Sequence, residues 1–191
     1  MIRNLRENYQ LKVQLKGVRP PIWRRVLVSS TSTLEDFHHT IQIVMGWTNS
    51  HLHQFTSGKS RYGMVDPEFG MDWDDDLQNE CNFKVKDLLK DEGDSILYEY
   101  DFGDGWEHKI TLEKVIPFEK ERFLPVCIKG KRGCPPEDVG GVWGYQDFLE
   151  KWNDKDHPEY EDIQEWVGDY FHPETFDLSE TNEILQEVFT A

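Results

Sequence analysis

Long apolar runs are missing from this chain. The longest are a few residues, far short of the roughly 20 that a helix needs to cross a bilayer, so no membrane association is expected. The opening segment MIRNLRENYQ has no apolar core, so no secretory signal is expected. Cysteine is scarce: Cys81, Cys127 and Cys134 are too few for a disulfide framework and include no CxxC pair. A reducing cytoplasm is the expected setting. Positive charge is also short, with 21 Lys and Arg against 37 Asp and Glu. The resulting net charge of -16 repels phosphate backbones and disfavours extended nucleic-acid binding.

What the chain has in quantity is aromatic residues: seven Trp, seven Tyr and eleven Phe in 191 positions. Large rings bury much area each, so a packed core is attainable at a mean hydropathy of -0.71. The length suits one domain, taken as 1–191, with a less diagnostic acidic helical part over about 153–191. Charge is unevenly spread. Residues 1–30 carry seven Lys and Arg against Glu7, whereas from Gly133 onward 16 acids face only Lys151 and Lys155. The basic stretch reads as solvated strand faces. A weaker alternative is nucleic-acid contact through Arg19, Arg24 and Arg25.

Periodicity supplies the elements. Tyr9, Leu11, Val13 and Leu15 alternate with Gln10, Lys12, Gln14 and Lys16, the pattern of a half-buried strand. Ile22 to Val28 reads as a second strand behind Pro20-Pro21. Ser32 and Glu35 form a capping-box pair, with Thr33 as a competing cap. Leu34, Phe37, Ile41, Val44 and Met45 then make one helical stripe closed by Gly46. His38 and His39 read as boundary residues of that helix. Short strands are expected at 51–58 and 60–65, an exposed acidic loop at 66–80 and a short helix near Phe83 to Leu89. Ser95–Asp101 and Trp106–Val115 form a hairpin through Phe102-Gly103-Asp104-Gly105. A last strand runs from Pro125 to Lys129, and helices follow at about 145–153, 159–168 and 179–189, the last capped by Ser179. This predicts an α+β fold: an antiparallel sheet of hairpins, an amphipathic helix packed on it, and helices concentrated in the C-terminal third.

Familiar site motifs fail on spacing. The acidic run from Asp72 to Asp76 opens like an EF-hand loop, but Leu77 and Phe83 stand where Gly and Glu are required. The cysteines lack the close pairing of a zinc knuckle and read as buried hydrophobes. Asp101-Phe102-Gly103 has no kinase context, and the stretch 134–145 is no phosphate loop. Three blocks do place polar groups beside rigid or permissive backbone. His51 and His53, two apart on a strand, share one face with Phe55. The hairpin adds Asp101, Asp104 and His108. The Pro- and Gly-rich loop adds Cys134, Glu137 and Asp138. These eight residues are the expected polar pocket. No metal ligand, cofactor or catalytic residue is assigned on spacing alone.

The segments YQLKVQLKGVRPPIWRRVLV, TLEDFHHTIQIVMGW with HLHQF, YEYDFGDGWEHKITLE and CPPEDVGGVWGYQDFL together resemble the plasmid pRiA4b ORF-3-like family. Its members are also labelled insertion-element passenger proteins of the TnpR type. The likeness runs from about Tyr9 to Trp152 in the family's order. It implies an α+β domain associated with plasmids and mobile elements, without an attached activity; no serine-recombinase pattern accompanies it. The function expected from sequence is therefore a soluble cytoplasmic binding or interaction module, its partner an unidentified protein or small ligand. The alternative is a metal-dependent hydrolase using His51, His53 and a hairpin carboxylate.

Overall fold

The computed structural model describes residues 6–65, 76–119, 123–168 and 171–190. Among them, eight strands form one sheet: β1 (Glu7–Leu15), β2 (Trp23–Ser29), β3 (His53–Ser57), β4 (Ser60–Gly63), β5 (Leu77–Asn79), β6 (Ser95–Tyr100), β7 (Trp106–Pro117) and β8 (Val126–Lys131). Their order is β5-β4-β3-β6-β7-β1-β2-β8. Every neighbouring pair is antiparallel except β4 with β5. The helices are α1 (Leu34–Met45), the single turn α2 (Val85–Leu88), α3 (Gly141–Asn153), α4 (Tyr160–Val167) and α5 (Leu178–Thr190). The α+β class and the antiparallel hairpins are as the periodicity requires. No helix among the described residues is long and apolar enough to cross a membrane.

The alternation along β1 sorts its side chains. Tyr9, Leu11, Val13 and Leu15 are buried, while Lys12 and Gln14 stay on the more open face. The β2 register carries that division across, pairing Lys12 with Arg25 and Leu11 with Val26. The apolar stripe of α1 joins the same core: Leu34, Phe37, Ile41, Val44 and Met45 cluster with the inward residues of β1, β2, β6 and β7. Five such side chains, each worth about 1.5–3 kcal/mol when fully buried, are what hold α1 to the sheet.

Several local expectations shift. The cap of α1 is Thr33, whose hydroxyl accepts from Asp36 N–H at 3.0 Å while Asp36 bonds back to Thr33 N–H. The Ser32–Glu35 pair has the right spacing but lies one residue too early. Gly46, at φ 100°, ends the helix in left-handed backbone. At α5 the capping acceptor is Asp177, taking the N–H groups of Ser179 and Glu180, and not Ser179 itself. Helix α3 begins at Gly141, four residues before its expected start near 145. Cys81 is exposed and departs from the reading of a buried hydrophobe, whereas Cys127 is buried and Cys134 is partly buried against the core. Of the acidic segment 66–80, residues 66–75, and with them the opening 72–75 of the failed EF-hand match, lie outside the described residues. Glu80 is buried and not part of an exposed loop.

The basic N-terminal residues also depart from a uniformly solvated face. Arg25 forms a bidentate pair with Glu113, at 2.5 and 2.8 Å. Arg24 points the other way, into the core, and is 1% exposed. Two of the three arginines considered for phosphate contact are thus engaged by the protein's own groups, Arg24 in the core and Arg25 in an ion pair on the partly open sheet face.

Candidate functional site

Three chain segments meet beside the β6–β7 turn. The first is the lead-in to β3, which carries His51. It is held in place by Asp101 N–H donating to Leu52 C=O at 2.9 Å. The second is the turn itself. Asp101 sits at φ 55°, in left-handed backbone that a non-glycine residue rarely adopts, and its Oδ1 accepts from Gly103 N–H at 2.9 Å. The third is the Pro- and Gly-rich loop before α3, where Asp104 Oδ2 accepts from Gly140 N–H at 3.0 Å. Gly141 touches the same turn so closely that a Cβ there would lie 2.4 Å from Asp104 O, and its φ is 68°. Glycine is the residue that permits this contact.

The docked loop brings two carboxylates to His51. Nε2 of His51 stands 3.2 Å from Asp138 Oδ1, 3.7 Å from Asp101 Oδ2 and 3.9 Å from Glu137 Oε2. None of the three is aligned for a hydrogen bond: His51 Nε2 is buried and unpartnered, and so is Glu137 Oε2. One donor atom each from His51, Asp101 and Asp138 lie within 4.8 Å of one another. Donors about 2.0–2.2 Å from a shared ion stand roughly 3–4 Å apart, so small side-chain movements would close this group on a cation.

The two oxygens of Glu137 do different work. Oε1 accepts from Thr48 N–H at 2.7 Å, the Thr48 hydroxyl at 3.0 Å and the Tyr100 hydroxyl at 3.1 Å. Burial pushes the Tyr100 phenol above its ordinary pKa, so it remains a donor. Oε2 is left facing His51. Three donors on one oxygen fix the carboxylate and present the other. Asn49 and Asp138, like Asp101, have φ 55°. Backbone of this kind costs on the order of 1–3 kcal/mol per residue and collects at functional sites.

The remaining sequence candidates go elsewhere. His53 is not beside His51's carboxylates; its Nε2 meets the Glu80 carboxylate at 2.9 and 3.1 Å. Its ring lies flat on His38, 3.5 Å between centroids. His38 is no boundary residue: it is 2% exposed and bonds Tyr98 Oη and Asn49 Oδ1, each at 2.8 Å. Burial, with His53 alongside, lowers the His38 pKa to about 3, so the ring is neutral. A donating Nε2–H toward Asn49 and an accepting Nδ1 toward the Tyr98 hydroxyl satisfy both bonds. His108 is fully buried in the core against Trp47 and Tyr98, and burial lowers its pKa to about 4. Both its ring nitrogens are buried without a hydrogen-bond partner. Cys134 packs below Gly46, and burial pushes its thiol well above the ordinary value. Asp104 is used to bind the loop.

A pocket of about 320 Å³ is lined by His38, His39, His51, His53 and Glu80. His51 thus belongs both to the carboxylate cluster and to a cavity holding the His53–Glu80 pair. Sequence reasoning missed Glu80, Thr48, Tyr98 and Tyr100, whose roles depend on long-range pairing. His38 alone left a signal, because it falls between Leu34 and Ile41 on the apolar stripe.

The comparisons with known proteins agree with this architecture. The family described as plasmid pRiA4b ORF-3-like protein matches residues 7–180. The uncharacterised protein y4hQ of Sinorhizobium fredii (strain NBRC 101917 / NGR234) is 40% identical over 160 residues, covering 83% of this chain and 80% of that one. The crystal structure of MM3350, a protein of unknown function from Methanosarcina mazei Go1, superposes with a TM-score of 0.81 at 39% identity. It covers 93% of this chain and 98% of the other.

Proposed function

We propose, from the premise that the chain belongs to the plasmid pRiA4b ORF-3-like family, that it is a binding module built around one divalent cation held by His51, Asp101, Glu137 and Asp138. The observation that carries this reading is the unpartnered, buried Nε2 of His51 facing three carboxylates within 3.9 Å. A buried imidazole nitrogen without a hydrogen bond is costly, and a metal would satisfy it together with Glu137 Oε2. One imidazole with three carboxylates is a mixed donor set. It suits Zn²⁺, Mn²⁺ or Fe²⁺ better than Ca²⁺, which takes oxygen alone. Asp138, with 73% of its side chain exposed, leaves the cation open to solvent and to a ligand on that side. A reducing cytoplasm fits the three free cysteines.

Titration calorimetry on the full chain, stripped with chelator, tests the proposal. One Zn²⁺ or Mn²⁺ per chain is expected, bound at least tenfold more tightly than Mg²⁺. His51→Ala should remove that binding, and absence of any binding to the stripped chain refutes the module.

A second reading, metal-dependent hydrolysis, is favoured by the His53–Glu80 pair in the adjoining pocket. A carboxylate fixing an imidazole is the arrangement of a general base. Metal-supported turnover of generic ester or phosphodiester substrates, reduced at least 100-fold in His53→Gln, would select this reading over simple binding.

A further inference from the structure

A second cavity, between the C-terminal turn of α1, the segment 171–177 and α5, encloses about 580 Å³. It shares no lining residue with the His51 cluster. Its floor is Arg24, carried there because β2 alternates and puts residue 24 on the same side as Val26 and Val28.

Arg24 is a buried cation that meets no anion among the described residues. Its Nε donates to Val44 C=O at 2.6 Å, and Nη1 donates to the carbonyls of Trp23 and Lys131, both at 3.0 Å. One face of the guanidinium stacks on Phe176, 3.8 Å from the ring centroid. Among the described residues no acceptor meets Nη2, and no carboxylate lies within 4.0 Å. The contrast with the other arginines is direct: Arg25 is paired with Glu113, and Arg132, 3% exposed, with Glu174 at 2.6 Å. Buried charges in proteins are ordinarily paired, because removing an ion from water is unfavourable unless a counter-charge replaces the lost hydration. Burial lowers the pKa of Arg24, but an arginine remains charged.

We infer that this cavity binds a small monoanion, a carboxylate carrying a compact apolar body, with its acid group on the free Nη2 of Arg24. The walls supply the rest of the specificity. Met45, Phe171, Phe176 and Ile184 are apolar and suit a hydrocarbon or aromatic body. Three of the guanidinium's five hydrogens are committed to carbonyls and one face to Phe176, so only the two hydrogens of Nη2 remain, enough for a carboxylate and too few for the many-sided contacts that a phosphate takes. Asp177 and Glu180 at the cavity, with the chain's -16 charge, oppose a dianion by like-charge repulsion. Long-range attraction therefore cannot supply the affinity; the desolvated guanidinium must.

The test is calorimetry on the full chain with acetate, hexanoate and phenylacetate, against inorganic phosphate and the neutral benzyl alcohol. Hexanoate or phenylacetate should bind one per chain, at least tenfold more tightly than acetate, phosphate or the alcohol. Arg24→Met should lower that affinity at least tenfold. Ile184→Trp, at a position 42% exposed, places an indole in the cavity without touching Arg24 and should lower it equally. The inference is overturned if neither long carboxylate binds below about 10 mM. It is equally overturned if phosphate binds as tightly, or if Arg24→Met binds undiminished. Should Arg24→Met fail to fold, Ile184→Trp decides: a folded variant with unchanged affinity overturns the inference.

Discussion

The rings of His38 and His53 are stacked face to face, with centroids 3.5 Å apart and planes 7° from parallel. One ring comes from the buried stripe of α1 and the other from the start of β3, so the contact ties the helix to the sheet edge. His39 lies 5.1 Å from His38 between ring centroids, the Glu80 carboxylate meets Nε2 of His53, and Tyr98 and Asn49 occupy both nitrogens of His38. A second proton, on Nδ1 of His38, would need an acceptor where the Tyr98 hydroxyl now donates, and would break that bond.

Acid should therefore destabilise the fold through its buried imidazoles. His38 and His108 have folded pKa values lowered to about 3 and about 4, whereas an unfolded histidine titrates near 6.5. Between those values the unfolded chain holds the extra proton. The stabilisation is complete above about pH 6.5 and is lost as pH falls toward 4, with a slope of up to about 1.4 kcal/mol per pH unit for each ring. Urea midpoints measured from pH 7 to 4.5 check this. His108→Leu should show a shallower decline than the parent, and an unchanged slope would contradict the assignment.

Tyr98→Phe should cost about 1–3 kcal/mol, because the lost hydroxyl leaves His38 Nδ1 and Gln42 Nε2 without partners inside the core. Denaturant unfolding reads this directly, and a change below about 0.5 kcal/mol would show that the network is not strained by its loss.

Gly141→Ala should separate the loop from the turn. Its Cβ would meet Asp104 O in backbone that disfavours any side chain, at a cost of roughly 2–4 kcal/mol. Because the same contact positions Glu137 and Asp138, metal affinity should fall at least tenfold in the folded fraction. Loss of stability with metal affinity intact would place the cation elsewhere.

His51→Ala makes the opposite forecast. The ring forms no hydrogen bond, so its removal should change the stability of the metal-free chain by less than about 1 kcal/mol while abolishing metal binding. Thermal unfolding with and without Zn²⁺ distinguishes the two effects.

The strands, α1 and the main hairpin were legible because each carries its own period. The period also held information that residue types obscured. Arg24 alternates with Val26 and Val28, and His38 stands on the stripe of Leu34 and Ile41, yet a charged or polar letter reads as surface. Thr33 and Ser32 offer equally spaced caps, and local sequence alone does not choose between them. The eight-residue pocket was legible only in part. His51, Asp101, Glu137 and Asp138 converge, because the 134–141 loop docks on the hairpin turn through Asp104 and Gly140. His53 turns instead to Glu80, brought up by the parallel β4–β5 pair, a pairing that no local pattern announces.

The central claim is that His51, Asp101, Glu137 and Asp138 hold one cation. The most direct measurement is anomalous diffraction at the zinc edge from crystals of the chain grown with Zn²⁺. The account predicts one strong peak about 2.0–2.2 Å from His51 Nε2 and from carboxylate oxygens of Asp101 and Asp138, absent in His51→Ala crystals. A peak at another site, or none at His51 in metal-saturated crystals, would contradict it.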